Sequence, residues 1–323
     1  MSATLNEIGQ MTWRHRSVID LDNWTREEFL FFLDQSRHME NVMDRPVKKV
    51  PALRGKMCVN LFFENSTRTR VSFEVGMYEL AEKMLSADVV NWSVSGSSTA
   101  KGETMRDTAW TLESMGADIV VMRHGAVGAA QYLASKLKHG IVLNAGDGTH
   151  AHPTQALLDV YTAWKHFGDL EGRKIALVGD VLHSRVARSD VIAFKTMGCE
   201  VVLSGPPTLM PREVECLGVT YERDARKAVE GADMVYLLRI QRERQQDGLF
   251  PSVDEYHRWW GADEELMKLA KPGALAMHPG PINRGVEIAS EVADGHQSVI
   301  LEQVRSGVAT RMALLYLCGG GAR

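Results

Sequence analysis

The chain alternates between two kinds of segment when its positions are classed as apolar or polar. Short apolar runs, of the kind that form buried strands, are separated by longer segments whose apolar residues recur at helical spacing. Four runs lie in the first half, at residues 57–63, 88–92, 118–122 and 141–144. Five more follow, at residues 174–178, 200–203, 219–222, 234–238 and 274–277. This order is typical of parallel α/β sheets.

Helix signals complete the picture. The segment Thr25-Arg26-Glu27-Glu28 has the pattern of a capping box and predicts the start of a helix. Residues 153–166 carry apolar side chains at helical spacing and predict a helix that bridges the two series of strands. A third predicted helix follows the first strand and has an apolar stripe of Phe73, Met77, Leu80 and Ala81.

The length of 323 residues exceeds what one hydrophobic core usually supports, so two domains are expected. The predicted fold class is α/β, with two doubly wound parallel-sheet domains joined by bridging helices. We expect residues 1–150, together with a C-terminal helix at 303–323, to form the first domain. Residues 151–302 form the second.

Composition narrows the classes of function. The formal net charge of −4 argues against a nucleic-acid-binding surface, although a local cationic pocket for an anion is still allowed. The cysteines, which are Cys58, Cys199, Cys216 and Cys318, have no metal-ligand spacing and fit a reduced, cytoplasmic protein. No signal peptide and no apolar stretch of membrane-spanning length is present, so we expect neither export nor membrane insertion.

The segment at residues 62–70, Phe-Phe-Glu-Asn-Ser-Thr-Arg-Thr-Arg, follows a predicted strand and opens a predicted helix. Ser66 is suited to cap that helix. The N-terminus of a helix offers unpaired N–H groups and a positive dipole end, and the hydroxyl and guanidinium groups add further donors for a phosphate. A capped helix with two solvated arginines is the alternative that local chemistry leaves open.

The Ser-Thr-Arg-Thr-Arg sequence after a strand resembles the carbamoyl phosphate signature of the aspartate and ornithine carbamoyltransferases. Further motifs occur in the order of that family, at residues 97–104, 123–124, 152–155, 239–244 and 278–281. The resemblance covers nearly the whole chain. It implies a carbamoyl phosphate site in the first domain and an amino acid site in the second.

The resemblance also implies roles for individual residues of the first half. The carbamoyl phosphate site would comprise Ser66, Thr67, Arg68, Thr69, Ser97, Lys101, Arg123, His152 and Gln155. The catalytic residues would be Arg68, Thr69, Lys101, Arg123 and His152. Among them, Thr69, Arg123 and His152 are expected at the carbonyl oxygen, where negative charge develops during attack.

The small, polar loop at residues 96–102 is, by its composition, an exposed loop. In the related enzymes the corresponding loop reaches into the active site of a neighbouring subunit. The resemblance therefore implies a homotrimer with shared active sites, in which Ser97 and Lys101 come from the adjacent chain.

The sequence carries partial signals for two other chemistries. His150 and His152 could form a metal-binding pair, but no further ligands are suitably spaced, so no metal is expected. The strand and turn at residues 175–183 resemble the start of a dinucleotide-binding unit, yet the turn lacks GxGxxG. We therefore expect no cofactor, and a nicotinamide-dependent enzyme is a poor second choice.

In the second half, Arg185 and Arg239 follow separate predicted strands, and two guanidinium groups suit a dicarboxylate. The resemblance implies that Lys101, Arg185, Arg239 and Gln241 bind the amino acid substrate and that Pro279 and Gly280 contribute backbone carbonyl contacts. By the same resemblance, Glu64 and Arg244 hold a closed arrangement of the domains.

The segment His278-Pro279-Gly280-Pro281 decides between the two branches of the family. Ornithine enzymes typically have a cysteine in a His-Cys-Leu-Pro segment there, so this chain resembles the aspartate branch. Gly280 departs from the leucine of some aspartate enzymes, but the expected contact is its backbone carbonyl.

The expected reaction converts carbamoyl phosphate and L-aspartate to N-carbamoyl-L-aspartate and phosphate, an early step of de novo pyrimidine (UMP) biosynthesis. An ornithine-type enzyme and an inactive assembly subunit are the alternatives. Regulatory or dihydroorotase-type partner chains both stay open, whereas no nucleic acid and no membrane partner is expected.

Overall fold

The computed structural model describes residues 12–63, 70–93, 104–240 and 252–321. The chain divides into two compact units, one comprising Met1–Leu157 with Ser306–Arg323 and the other Leu158–Arg305. Both boundaries fall within helices, at Pro153–Phe167 and Ile300–Tyr316. The expected substrate-binding domains at residues 1–150 with 303–323 and at 151–302 stay a prediction.

The first unit contains a four-stranded parallel sheet with its helices between the strands. The elements in chain order are α1 (Arg26–Met43), β1 (Met57–Phe62), α2 (Arg70–Met84), β2 (Asp88–Ser93), α3 (Met105–Ser114), β3 (Ile119–His124), α4 (Ala129–Lys136) and β4 (Ile141–Asp147). The strand order is β2-β1-β3-β4. Helix α5 (Pro153–Phe167) follows and crosses the boundary between the units.

Local sequence explains these elements. Helix α1 begins at the predicted capping box, in which the Thr25 hydroxyl accepts a hydrogen bond from the Glu28 backbone and the Glu28 carboxylate accepts one from Thr25 N–H. Every residue of β4 is buried. The continuous apolar run predicted this burial, because such runs are typical of strands covered on both faces. Apolar side chains of α3 and α4, such as Leu112 and Leu133, complete the core against β1, β3 and β4.

The predicted apolar stripe of α2 is wrong at one position. Leu80 is 49% exposed, whereas Tyr78, Ala81 and Leu85 are fully buried. Successive residues of an α-helix turn by about 100°, so Leu80 lies well to the side of a stripe through these three residues.

The second unit contains a five-stranded parallel sheet. Its elements are β5 (Lys174–Val178), α6 (Arg185–Thr196), β6 (Glu200–Ser204), β7 (Thr220–Tyr221), α7 (Ala225–Val229), β8 (Met234–Leu237), α8 (Val253–Trp260), α9 (Glu264–Met267), β9 (Leu275–Met277), α10 (Ser290–Ala293) and α11 (Ile300–Tyr316). The strand order is β7-β6-β5-β8-β9. The two parallel sheets with intervening helices confirm the predicted fold class.

Each sheet has one point at which the chain changes direction of winding. In the first unit the chain passes from β1 outwards to β2 and then returns to β3 on the other side of β1. In the second, β6 and β7 lie on one side of β5, and β8 and β9 lie on the other. The connections after β1 and β3, and those after β5 and β8, therefore diverge at the carboxyl edge and leave a crevice for a ligand.

Within the described ranges, no helix combines the length and the apolar character that crossing a membrane requires.

Candidate active site

In the first unit, Arg123 lies at the carboxyl end of β3, next to the position where the winding changes. It is the register partner of Phe62, the last residue of β1, and its carbonyl accepts a hydrogen bond of 2.9 Å from Phe63 N–H. Its Nη1 lies 3.5 Å from the carbonyl oxygen of Ala145. The register between β3 and β4 shifts at this point, which places Ala145 opposite the guanidinium. Arg123 is thus presented at the sheet edge, as predicted.

A buried carboxylate, that of Asp147, organises the loop that leads to His152. Asp147 Oδ1 accepts hydrogen bonds from Asn144 Nδ2 at 2.8 Å and from Ala151 N at 3.2 Å. Asp147 Oδ2 accepts one from Gly128 N at 2.7 Å. Because these bonds reach forward along the chain to Ala151, they fix the backbone immediately before His152.

His152 and Gln155 lie at the start of α5, where the predicted bridging helix begins. The carbonyl of His152 accepts hydrogen bonds from Gln155 N at 3.0 Å and Ala156 N at 3.3 Å, and the side chain of His152 is buried. Thr154, between them, accepts a hydrogen bond of 2.9 Å from the Tyr78 hydroxyl.

A buried cation supports this helix start from behind. The guanidinium carbon of Arg311 lies 4.7 Å from the centre of the Tyr78 ring, and Arg311 Nη1 donates to the carbonyl of Gly307 at 2.9 Å. A guanidinium over an aromatic face is attracted by the ring's negative face. The beginning of α5 is therefore braced by α2 through Tyr78 and by α11 through Arg311.

Several predicted site residues lie outside the described residues. They are Glu64, Ser66, Thr67, Arg68, Thr69, Ser97, Lys101, Gln241 and Arg244. The described part of the first half-site consists of Arg123, His152 and Gln155.

In the second unit, the connection after β5 leads directly to Arg185. The Asp180 carboxylate accepts a hydrogen bond from His183 N at 3.1 Å, and the Ser184 hydroxyl caps α6 by accepting one from Ala187 N. Arg185 is the first residue of α6 and is only 3% exposed. Burial of a guanidinium at the carboxyl edge of a sheet suits recognition of a carboxylate.

Arg239 follows β8, the strand that neighbours β5. Leu238 N donates a hydrogen bond of 2.8 Å to the carbonyl of Val178, so the two chains leave the sheet side by side. Gly179 has a φ of +135°, and a Cβ atom built there would lie 3.0 Å from Leu238 Cβ. This position therefore needs glycine because of both its backbone conformation and the close approach of Leu238.

The loop after β9 is closed around a buried glutamate, Glu287. Glu287 Oε1 accepts hydrogen bonds from Asn283 N at 2.6 Å and from His278 Nε2 at 3.1 Å. Asn283 Nδ2 also donates to the carbonyl of Ile240, the residue after Arg239, at 3.2 Å. The structure thus brings Arg239 and the segment containing Pro279 and Gly280 together.

The tautomer of His278 follows from its partners. Its Nδ1 accepts a hydrogen bond of 2.8 Å from Gly280 N, so Nε2 carries the proton and donates to Glu287. Burial lowers the pKa of His278, Glu287 raises it, and the positive charge of Arg239 lowers it further. A neutral imidazole in this position holds the backbone of Gly280 in place.

Two buried carboxylates of the site, Asp147 and Glu287, were missed by sequence reasoning. Asp147 ends the buried strand β4, and Glu287 lies between the apolar residues Val286 and Ile288. An acidic residue next to apolar residues was therefore a signal available in the sequence.

The candidate histidine pair does not form a metal site with other side chains of the described residues. His150 Nδ1 lies 3.1 Å from Asp147, but no group of three or more ligand-type side chains suited to a metal occurs among these residues.

Family models match both halves of the chain. Residues 16–165 match the "Aspartate/ornithine carbamoyltransferase, carbamoyl-P binding domain", and residues 171–318 match the "Aspartate/ornithine carbamoyltransferase, Asp/Orn binding domain".

Curated relatives are similar over almost their full length. The aspartate carbamoyltransferase catalytic subunit of Geobacter sulfurreducens is 53% identical over 312 residues, covering 96% of this chain and 98% of the relative. That of Anaeromyxobacter sp. (strain K) is 54% identical over 313 residues, covering 97% and 98%.

Solved structures share the fold in both branches. Aspartate transcarbamoylase from Trypanosoma cruzi, in complex with carbamoyl phosphate and aspartate, has a TM-score of 0.80 at 30% identity and covers 94% of this chain and 97% of its own. Ornithine carbamoyltransferase from Pyrococcus furiosus has a TM-score of 0.82 at 29% identity and covers 97% and 100%. The fold is common to both branches, whereas both of the curated relatives described above are aspartate carbamoyltransferase catalytic subunits. The chain belongs to the aspartate/ornithine carbamoyltransferase family.

Proposed function

We propose that this chain transfers the carbamoyl group of carbamoyl phosphate to the amino group of L-aspartate. The products are N-carbamoyl-L-aspartate and phosphate, and the reaction is an early step of de novo pyrimidine (UMP) biosynthesis. The observation that carries the substrate choice is the placement of Arg185 and Arg239 after the two strands that flank the switch point of the second sheet. Two cations suit the two carboxylates of aspartate, whereas an ornithine side chain would need an anion.

The reaction needs orientation and charge stabilisation. The neutral α-amine of aspartate attacks the carbamoyl carbon, a tetrahedral intermediate forms, and the bond from carbon to the phosphate oxygen breaks. The departing phosphate accepts the amine proton. Arg123 and His152, together with Thr69, stabilise the carbonyl oxygen as its negative charge grows. Neither a metal nor a cofactor takes part in these steps.

The phosphate is held by the segment Ser66, Thr67, Arg68 and Thr69, with Gln155 at the start of α5 beside it. Arg123 supports this assignment because Phe62, its register partner, is only four residues before Ser66. Ser97 and Lys101 close the site from the adjacent subunit of a homotrimer.

Aspartate is held by Arg185, Arg239, Gln241 and Lys101. The carbonyl groups of Pro279 and Gly280 orient the α-amine, and the hydrogen bond from Gly280 N to His278 Nδ1 supports this role because it fixes their backbone. Preorganised contacts of this kind raise the rate because the reacting atoms are held in line.

We also place the chain in the cytoplasm. Cys58, Cys199, Cys216 and Cys318 are all free thiols, and free thiols are typical of proteins in reducing compartments. Partner chains of the regulatory or dihydroorotase type both stay open.

An assay of carbamoyl aspartate formation tests the proposal. We expect turnover of L-aspartate in a buffer that contains a metal chelator. Phosphonacetyl-L-aspartate should inhibit strongly, because it combines features of both substrates. An inactive assembly subunit would show no turnover, and that result would refute the proposed function.

A further inference from the structure

A buried polar network lies in the second unit behind the candidate aspartate site. Its side chains are those of Asp159, Asp190, Tyr236 and Gln303, all of them buried. None has been assigned to either substrate. A network of buried polar groups is costly unless each group finds its partner, so the way they are satisfied is informative.

Asp159 is the centre of the network. Its Oδ2 accepts a hydrogen bond of 2.8 Å from the Tyr236 hydroxyl, and its Oδ1 accepts one of 2.6 Å from Gln303 Nε2. Asp190 lies near Asp159, whose negative charge acts on the Asp190 carboxyl group.

Two carboxyl groups can share a hydrogen bond only when one of them carries a proton. Within the described part of the chain, no N–H or O–H group donates to either oxygen of Asp190. Burial raises the pKa of Asp190 well above its ordinary range, and the charge of Asp159 raises it further. Both effects favour the protonated form of Asp190, which can share its proton with the charged Asp159.

This arrangement sets the orientation of the Gln303 amide. Since Asp159 offers only an acceptor, Gln303 turns its NH₂ group towards Asp159 and its carbonyl oxygen away. That oxygen accepts a hydrogen bond of 3.0 Å from the backbone N–H of His278. Gln303 therefore links the carboxyl pair to the loop in which His278 Nδ1 holds Gly280 N.

Two members of the network, and the loop that Gln303 contacts, are close in sequence to residues of the aspartate half-site. Asp190 is on α6, which begins at Arg185, and Tyr236 is on β8, three residues before Arg239. His278 immediately precedes Pro279 and Gly280. The network thus connects the three segments of the second unit that carry proposed aspartate contacts.

We propose that Gln303, oriented by its hydrogen bonds with Asp159 and with the backbone N–H of His278, is a positioning residue for the aspartate half-site. It sets the backbone of residues 278–280 relative to Arg239 without touching the substrate. This inference rests on the proposed function, because it assumes that aspartate is the substrate held there.

Steady-state kinetics of substitutions in the network provide the test. Gln303→Met keeps the size of the side chain but removes both hydrogen bonds. We expect the KM for aspartate to rise about tenfold, while the KM for carbamoyl phosphate changes by less than about twofold. Asp190→Asn should remain near wild type, because its NH₂ group still donates to Asp159, whereas Asp190→Leu should resemble Gln303→Met.

Thr162→Val is the matched control. Thr162 is buried on the same helix as Asp159, and its hydroxyl donates a hydrogen bond to the carbonyl of Leu158 within that helix. Its replacement should lower the melting temperature but leave both KM values unchanged. If Gln303→Met lowered the melting temperature with no selective rise in the KM for aspartate, the network would be a purely structural core and the proposal would be wrong.

Hydrogen exchange of the unliganded protein separates this inference from the proposed function. Peptides covering residues 278–288 should exchange faster in Gln303→Met, or in Gln303→Asn should the first variant fail to fold, and at the wild-type rate in Thr162→Val. If the wild type did not use aspartate but the Gln303 variants still exchanged faster, only the proposed function would be refuted. Unchanged exchange in the Gln303 variants would overturn the positioning role whatever the substrate.

Discussion

The proposed mechanism assigns Arg123 and Arg239 to different stages of the reaction. In that mechanism Arg239 contacts aspartate in the ground state, whereas Arg123 meets an oxygen whose charge grows only in the transition state. Arg123→Ala should therefore lower kcat by about a hundredfold or more, as loss of an oxyanion donor does. Arg239→Ala should raise the KM for aspartate and also lower kcat through poorer orientation. A folded Arg123→Ala protein with near-normal kcat would remove the proposed role of that residue.

Glu82 gives a prediction about stability and pH. It is buried on α2, where its Oε2 accepts a hydrogen bond of 2.9 Å from Asn60 Nδ2. Burial raises its pKa from 4.5 to about 7, so the folded protein binds this proton more tightly than the unfolded chain. Its contribution to stability is therefore present below pH 4.5 and is lost as the pH rises through 7.

Glu82→Gln keeps the hydrogen-bond acceptor without the charge. We expect this variant to be more stable than the wild type by about 3 kcal/mol above pH 8 and equal to it below pH 4.5, as measured by urea unfolding across this range. Glu79→Gln is a control of opposite sign, because its bond to Lys83 lowers the pKa of Glu79. A difference for Glu82→Gln that did not vary with pH would contradict the burial argument.

Individual site residues differed in how far the sequence could predict them. Arg123 could be placed because it ends an apolar run, and the end of a run marks the edge of a sheet. The bonds from Asp147 to Gly128 and from Glu287 to Asn283 could not be predicted, because nothing in the sequence indicates which donors a buried carboxylate will meet. Asp159 and Asp190 lie in helices whose apolar pattern gives no reason to expect paired acids.

At the level of elements, the close approach of Gly179, after β5, to Leu238, after β8, controls where Arg239 is placed. Gly179→Ala would add a Cβ atom 3.0 Å from Leu238 in a backbone conformation that only glycine adopts readily. We expect a loss of stability of about 2 kcal/mol or more, together with a raised KM for aspartate.

Gly231→Ala is the control for this prediction. Gly231 also has a positive φ, of +67°, but a Cβ atom there would meet nothing within 4 Å. It should cost about 1 kcal/mol and leave the KM for aspartate unchanged. Equal kinetic effects of the two substitutions would show that the approach of Leu238 is unimportant for the site.

The strands were predicted from sequence more reliably than the faces of helices. Lys174–Val178 was predicted with the observed bounds, because a parallel strand buried on both faces is apolar throughout. The strand expected at residues 219–222 consists only of Thr220–Tyr221, which is an edge strand with little burial to define its length. On α2, the exposed Leu80 shows that an apolar residue does not by itself identify the buried face.

At the scale of the whole molecule, we predict that each active site is shared between two subunits of a homotrimer. Lys101→Ala and His152→Ala trimers should each be nearly inactive, because every site lacks one group. When equal amounts of the two chains are unfolded and reassembled together, some interfaces combine an intact Lys101 with an intact His152 of the neighbouring chain. Random assembly gives each interface about one chance in four, so roughly a quarter of the wild-type activity should return.

Each mutant refolded alone is the control for this mixing experiment. Mass measurement under native conditions should show that mixed trimers have formed. Mixed trimers without activity above these controls would place Lys101 and His152 in the same chain's site, or Lys101 on a solvated loop.

The choice between the two branches of the family can be decided by a competition in one solution. Purified protein is given isotopically labelled carbamoyl phosphate with equal concentrations of L-aspartate and L-ornithine, in the presence of a metal chelator, and the labelled products are identified by mass. Because the proposed site presents the two cations of Arg185 and Arg239 to the amino acid, we expect labelled N-carbamoyl-L-aspartate and no labelled citrulline. Citrulline in equal or greater amount would contradict the assignment of aspartate as the substrate.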